Sequence, residues 1–199
     1  MNSPGIRRSA ARIVTEVLAP AWVVAVLLVA VSARIAPSPA TALKWGLLSA
    51  LFASLLPFAW IVNEVRRRRL TDHHVSDRTQ RAVPLLVGIL SILLGLGLLV
   101  TGRAPRPLVA LVIAMLVGLI VTLLITTLLK WKISVHTATL AGAIVIVLLV
   151  FGYQLWPVVF VGAVVAWARV ELGDHTLLQV VTGEAIGALV AATVFLALR

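Results

Sequence analysis

Long runs of apolar residues, each near the length of a membrane-crossing helix and parted by short polar segments, dominate this chain of 199 residues. Hydrophobic residues make up 61% of it and charged residues only 12%. A water-soluble domain carries about a quarter charged residues, so that class is excluded. A helix needs about 20 mainly apolar residues to cross a bilayer, and in hydrocarbon its backbone groups must be satisfied within the segment. The sequence therefore predicts an all-α polytopic membrane protein, a six- or seven-helix transmembrane bundle, with residues 1–199 forming a single transmembrane domain.

The expected spans are 16–35, 43–62, 84–100, 107–129, 137–151, 155–168 and 177–198. Residues 1–15 form a basic N-terminal segment, and residues 63–83, NEVRRRRLTDHHVSDRTQRAV, a long polar loop. Two further polar stretches interrupt the apolar runs: KWKISVH at 130–136 and WARVELGDHTLLQVVTG at 167–183. With seven spans, the N-terminus, the loop and both stretches fall on one membrane face. That face carries Arg7, Arg8, Arg12, Arg66, Arg67, Arg68, Arg69, Arg78, Arg81, Lys130, Lys132 and Arg169. The other face carries only Arg34, Lys44, Arg103, Arg106 and Arg199. The positive-inside rule then assigns the richer face to the cytoplasm, giving a bacterial-type inner-membrane protein with a cytoplasmic loop at 63–83.

The net charge of +10 is explained by topology and anionic headgroups rather than by nucleic acid. Absence of cysteine excludes thiolate catalysis and sulfur-ligated zinc. Gly183 and Gly187 form a small-xxx-small pair, read first as close helix packing and second as a face for homo-oligomers. The six tryptophans read as interfacial anchors.

Chemistry is concentrated in the polar stretches. His136 follows Lys132 and Ser134, and His175 follows Arg169 and Asp174, all on the same expected face. Two histidines among cations suit phosphate chemistry. One imidazole can attack phosphorus while the other protonates the leaving oxygen. Arginine presents a planar fork to phosphate oxygens and lysine a point charge. Asp72, His73, His74 and Asp77 form a second cluster. It reads either as a divalent-metal or pyrophosphate–Mg²⁺ site or, preferably, as a solvated charged loop.

R-x5-H-x3-Q at Arg169, His175 and Gln179 resembles the third motif of the type 2 phosphatidic acid phosphatases, S-R-x5-H-x3-D, and ISVH at 133–136 resembles their second, P-S-G-H. The two helices between the motifs also fit that family. The resemblance implies His175 as the phosphoryl-accepting nucleophile, His136 as general acid, and Arg169 and Ser134 as phosphate ligands, with Lys132 beside them. Gln179 stands where the family has the aspartate that orients the nucleophile, Ala168 replaces the motif serine, and Ile133 and Val135 replace proline and glycine. The first motif, K-x6-R-P, has no clean counterpart. Arg106-Pro107 falls on the wrong face, so Arg78 and Arg81, ahead of Pro84, are expected to supply its cations.

The expected function is a membrane-embedded lipid phosphatase, without metal or cofactor, working through a phosphohistidine. Its substrate would be phosphatidic acid, phosphatidylglycerol phosphate or a polyprenyl (di)phosphate. Two alternatives stand beside it. One is a non-catalytic relative that binds anionic lipid, suggested by Gln179. The other is a Mg²⁺-dependent prenyltransferase-like enzyme holding diphosphate through Asp72 and Asp77.

Overall fold

The computed structural model describes residues 4–199. Nine α-helices form among these residues: α1 (Pro4–Val17), α2 (Pro20–Ile35), α3 (Pro39–Ala50), α4 (Leu56–Arg66), α5 (Ala82–Thr101), α6 (Arg106–Thr127), α7 (Val135–Phe151), α8 (Val159–Glu171) and α9 (Leu177–Leu198). No strand occurs among the described residues. Five helical segments are long and apolar enough to cross a membrane, and the bent pair α1–α2 makes a sixth. The 17-residue α7 is a shorter apolar helix. This is a polytopic helical bundle. Its outward surface is apolar, with Leu90, Leu94, Phe160 and Leu189 all more than 60% exposed, as a lipid-facing surface must be.

The first expected span is corrected. The helix breaks between Val17 and Pro20, where the axis bends by 42°. Pro20 stands at the first turn of α2, and Ala19 before it is extended. Proline cannot continue a helix but starts one well. The segment before the break is amphipathic. Arg7, Ala11 and Thr15 recur every four residues; Ala11 and Thr15 are buried, and Arg7 pairs with Glu171 of α8 at 2.8 Å. α1 thus lies against α8 and leaves Glu16 at its end.

The second span is one long rod, α3 and α4 joined by a π turn at Leu51–Leu55. Pro57 cannot donate to residue 53, and its ring crowds that turn, so the ladder widens. Nearby backbone carbonyls find hydroxyl donors: Ser91 Oγ to Phe52 O and Ser54 Oγ to Ala21 O, both 2.6 Å. Trp45, expected as an interfacial anchor, is instead buried against the α5–α6 turn at Gly102.

Gly183 and Gly187 face α7, not a second chain. A side chain at Gly187 would collide with the Ala138 carbonyl, and one at Gly183 would stand 2.7 Å from the Ser134 carbonyl. Their missing Cβ atoms let α9 lie on the N-terminal turns of α7. That contact brings His136 and Gln179 to the same end of the bundle, where Ser134 N donates to Gln179 O at 3.2 Å. Parity is correct in this respect: the loop, KWKISVH and the α8–α9 turn meet at one end. Arg106 donates to Leu198 O at the other, away from this end as expected.

Candidate functional site

The α8–α9 turn builds the centre. α8 ends at Glu171, and Gly173, at φ 77°, reverses the chain so that His175 N donates back to Arg169 O at 3.3 Å. Thr176 caps α9, and Gln179 completes a capping box, which satisfies two orphan donors at the helix start. This arrangement decides the state of His175. Gln179 Oε1 accepts from Thr176 N at 3.2 Å. A backbone N–H can only donate, so the amide oxygen must face it. His175 Nδ1 lies 3.2 Å from the same oxygen and must therefore carry its proton. His175 Nε2 keeps a lone pair.

Burial, then the charges of Lys132, Arg81 and Arg169, push the His175 imidazole down to about 3, against the pull of Gln179. The ordinary value is near 6.5. Between those values the unfolded chain binds a proton the folded one does not, so stability rises with pH through this window. Acidification from about pH 6.5 toward 3 should destabilise the parent protein in detergent more than the His175→Gln variant. Thermal midpoints across that range read the difference, and equal slopes would contradict it.

Arg169 is almost fully buried, 1% exposed, and its guanidinium pairs with Asp174 at 3.0 Å. Lys132 closes the turn from the other side, its ammonium donating to Asp174 O at 2.7 Å. Burial first, then Arg81, lowers the Lys132 ammonium from its ordinary value. Ser134 is buried and caps α7, its hydroxyl accepting from Thr137 N at 3.4 Å; the hydroxyl hydrogen is left to donate. His136, in the first turn of α7, is buried beside His74, with ring centroids 4.9 Å apart. The expected residues His136, His175, Gln179, Arg169, Lys132, Ser134 and Arg81 thus come together.

The two loop arginines part company. Arg81 is 4% exposed and ties the loop to the second stretch, donating to Val75 O at 2.9 Å and Ile133 O at 2.8 Å. One terminal nitrogen remains for a ligand. Arg78 instead donates to Thr126 O at 3.4 Å, at the C-terminal turn of α6, where carbonyls lack helical partners. It is an α6 cap.

Asp72 and Asp77 cap turns of the loop. Asp72 accepts from His74 N, Ser76 N and Ser76 Oγ. Burial opposes its charge, but these hydrogen bonds prevail and hold the carboxyl below its ordinary value. Asp77 accepts from Thr79 N and Thr79 Oγ1 at 2.8 and 2.7 Å. The loop histidines turn to Glu16 instead, a partner the sequence reading missed. His74 lies 3.0 Å from Glu16 Oε1 and His73 3.1 Å from Oε2. Burial lowers the His74 imidazole despite Glu16.

Beside these groups opens a cavity of about 270 Å³. Its polar wall is His73, His74, Arg81 and His136; deeper it is lined by Leu27, Ile92, Leu111, Met115, Ile146 and Val190. The lining runs from Arg81, the residue before α5, to Ile92 on that helix, and on α7 from Val135 to Ile146. Eleven residues of helix advance about 16 Å, roughly half the hydrocarbon thickness of a bilayer. His136 belongs both to this wall and to the charged cluster.

Comparison with protein-family models, with curated proteins and with solved structures finds no match to this chain.

Proposed function

We propose that the chain is a membrane-embedded, metal-independent phosphohydrolase acting on a lipid phosphate or diphosphate, related to the type 2 phosphatidic acid phosphatases its motifs resemble. One observation carries the reading. Four buried side-chain polar atoms among the described residues lack a hydrogen-bond partner, and two of them are His136 Nε2 and Arg169 Nε. An unmet buried polar group costs about 1–3 kcal/mol. A phosphoryl group has the acceptor oxygens to satisfy both.

The lipid chain would occupy the apolar cavity and the headgroup would lie among Arg169, Lys132, Ser134 and the free nitrogen of Arg81. The Nε2 lone pair of His175 attacks phosphorus, and the bond from phosphorus to the lipid oxygen breaks. That oxygen takes a proton from His136. Water then attacks the phosphohistidine and gives a proton to His136, which restores the acid; the P–N bond breaks, returning the lone pair to His175 Nε2 and releasing phosphate. The cations offset charge on the transferring group, the largest part of such catalysis. The reacting face would be cytoplasmic by the positive-inside rule.

The test is phosphate release by the purified protein in micelles containing EDTA. Phosphatidic acid, phosphatidylglycerol phosphate and a polyprenyl diphosphate would serve as substrates. Turnover of at least one, with an acid-labile, alkali-stable phosphoenzyme, supports the reading; no turnover of any rejects it. Gln179 gives a second measurement. Gln179→Glu keeps the capping box and sets a carboxylate against His175 Nδ1–H, so it stabilises the imidazolium character that grows as phosphorus is attacked. Phosphoenzyme formation should rise about tenfold, a gain of roughly 1.4 kcal/mol, in single-turnover measurements; an unchanged rate would remove Gln179 from the mechanism.

A further inference from the structure

Glu16, His73 and His74 lie outside the phosphoryl chemistry, and their ligand atoms all fall within 4.8 Å of one another. Both imidazoles converge on a single carboxylate oxygen: Glu16 Oε1 is 3.2 Å from His73 Nε2 and 3.0 Å from His74 Nε2. Tetrahedral zinc with bonds of about 2.0–2.1 Å sets neighbouring ligand atoms about 3.3 Å apart. The two separations from Glu16 Oε1 are close to that edge, so an ion could be taken up with small side-chain movements.

The supports are built before any ion arrives. Asp72 Oδ1 accepts from His74 N at 2.8 Å, and Asp72 Oδ2 from Ser76 N at 3.1 Å, fixing the loop that presents both histidines. The His73 ring packs edge-on to Phe58, 6.4 Å between centroids, and Phe58 packs against Trp22 at 5.9 Å. Such an apolar wall limits water around a ligand set. The three residues join the end of α1 to the α4–α5 loop, where His73 and His74 line the cavity wall.

We propose that Glu16, His73 and His74 form a binding site for a divalent transition-metal ion, Zn²⁺ by its donor set, with a fourth position open to water. Two imidazole nitrogens and one carboxylate match zinc; magnesium and calcium prefer all-oxygen shells. The bound ion ties α1 to the loop across the polar end of the cavity. This site does not depend on the phosphatase reading, and its test reads metal rather than turnover.

Purified parent protein, stripped with EDTA and titrated with Zn²⁺, should bind one equivalent through this site. Glu16→Gln, His73→Asn and His74→Asn should each weaken that equivalent by about 10- to 100-fold, the scale that supporting groups alone reach in metal sites. Glu16 is exposed, so Glu16→Gln preserves the fold, which an unchanged thermal midpoint in EDTA verifies. Zinc should also slow tryptic cleavage at Arg66, Arg67, Arg68 and Arg69 in the parent and not in Glu16→Gln. Absence of a stoichiometric equivalent in the parent, or equal affinity in the three variants, overturns the proposal. Displacement of zinc by equimolar Mg²⁺ would overturn it equally.

Discussion

Replacing His175 with alanine should lower phosphate release by ~10³-fold or more while leaving lipid binding nearly intact. In the proposed mechanism His175 is the covalent nucleophile, and loss of such a group is among the largest single-residue effects in covalent catalysis. The geometry separates chemistry from binding. His175 Nδ1 is spent on Gln179, and only Nε2 faces a task. The cations that would hold the headgroup stay in place by other bonds: Arg169 to Asp174, Lys132 to Asp174 O, Arg81 to Ile133 O. The Gln179 side chain keeps Thr176 N as a partner in the variant, so α9 still starts in the same place. Release assays and equilibrium binding of the same lipid, run side by side, check both halves. If His175→Ala hydrolyses as fast as the parent, the nucleophile is misassigned. If neither protein hydrolyses while both bind equally, the chain is the lipid-binding relative that Gln179 suggests.

The bundle itself could be read from the sequence because its driving force is local. Every span is an apolar run, and α9 begins and ends at the residues where polarity changes, Leu177 and Leu198. Parity then needed only a count of spans to bring 130–136 and 167–183 to one end. What the sequence hid were contacts made by short polar side chains across large sequence separations. Glu16 meets His74 from 58 residues away, and nothing in the spacing favours Glu16 over Asp72, which sits two residues from His74. The nearer carboxylate is consumed by its own turn, a local hydrogen-bonding habit of aspartate. Arg78 and Arg81 are equally plausible by composition, yet a three-residue offset sends one to the end of α6 and the other beneath Ile133. The break before α2 falls at Pro20, inside an apolar run that by composition reads as one continuous span. The cavity had no sequence signature at all, since its lining comes from several helices whose small residues, such as Gly88, Ala114 and Gly142, look like ordinary packing positions.

Arg169→Lys should lower kcat/KM by about 10²-fold, roughly 2.7 kcal/mol of transition-state stabilisation, although the charge is preserved. The guanidinium is buried, one terminal nitrogen is committed to Asp174, and Nε has no partner. A fork of this kind can hold Asp174 with one nitrogen and a phosphoryl oxygen with another; an ammonium has no second donor in that plane. Asp174 distinguishes binding from mere packing. Its carboxylate is 28% exposed, so the pair is only partly shielded and Asp174→Asn should cost about 1–2 kcal/mol, below the 3–5 typical of a fully buried pair. That variant also frees the guanidinium from a competing anion. Vanadate should therefore raise the thermal midpoint of Asp174→Asn more than that of the parent, and should raise that of Arg169→Lys least, since stabilisation by a ligand follows its affinity for the folded state. Equal shifts in all three proteins would mean that the anion does not bind at Arg169, and the headgroup would then have to be sought elsewhere along the cavity wall.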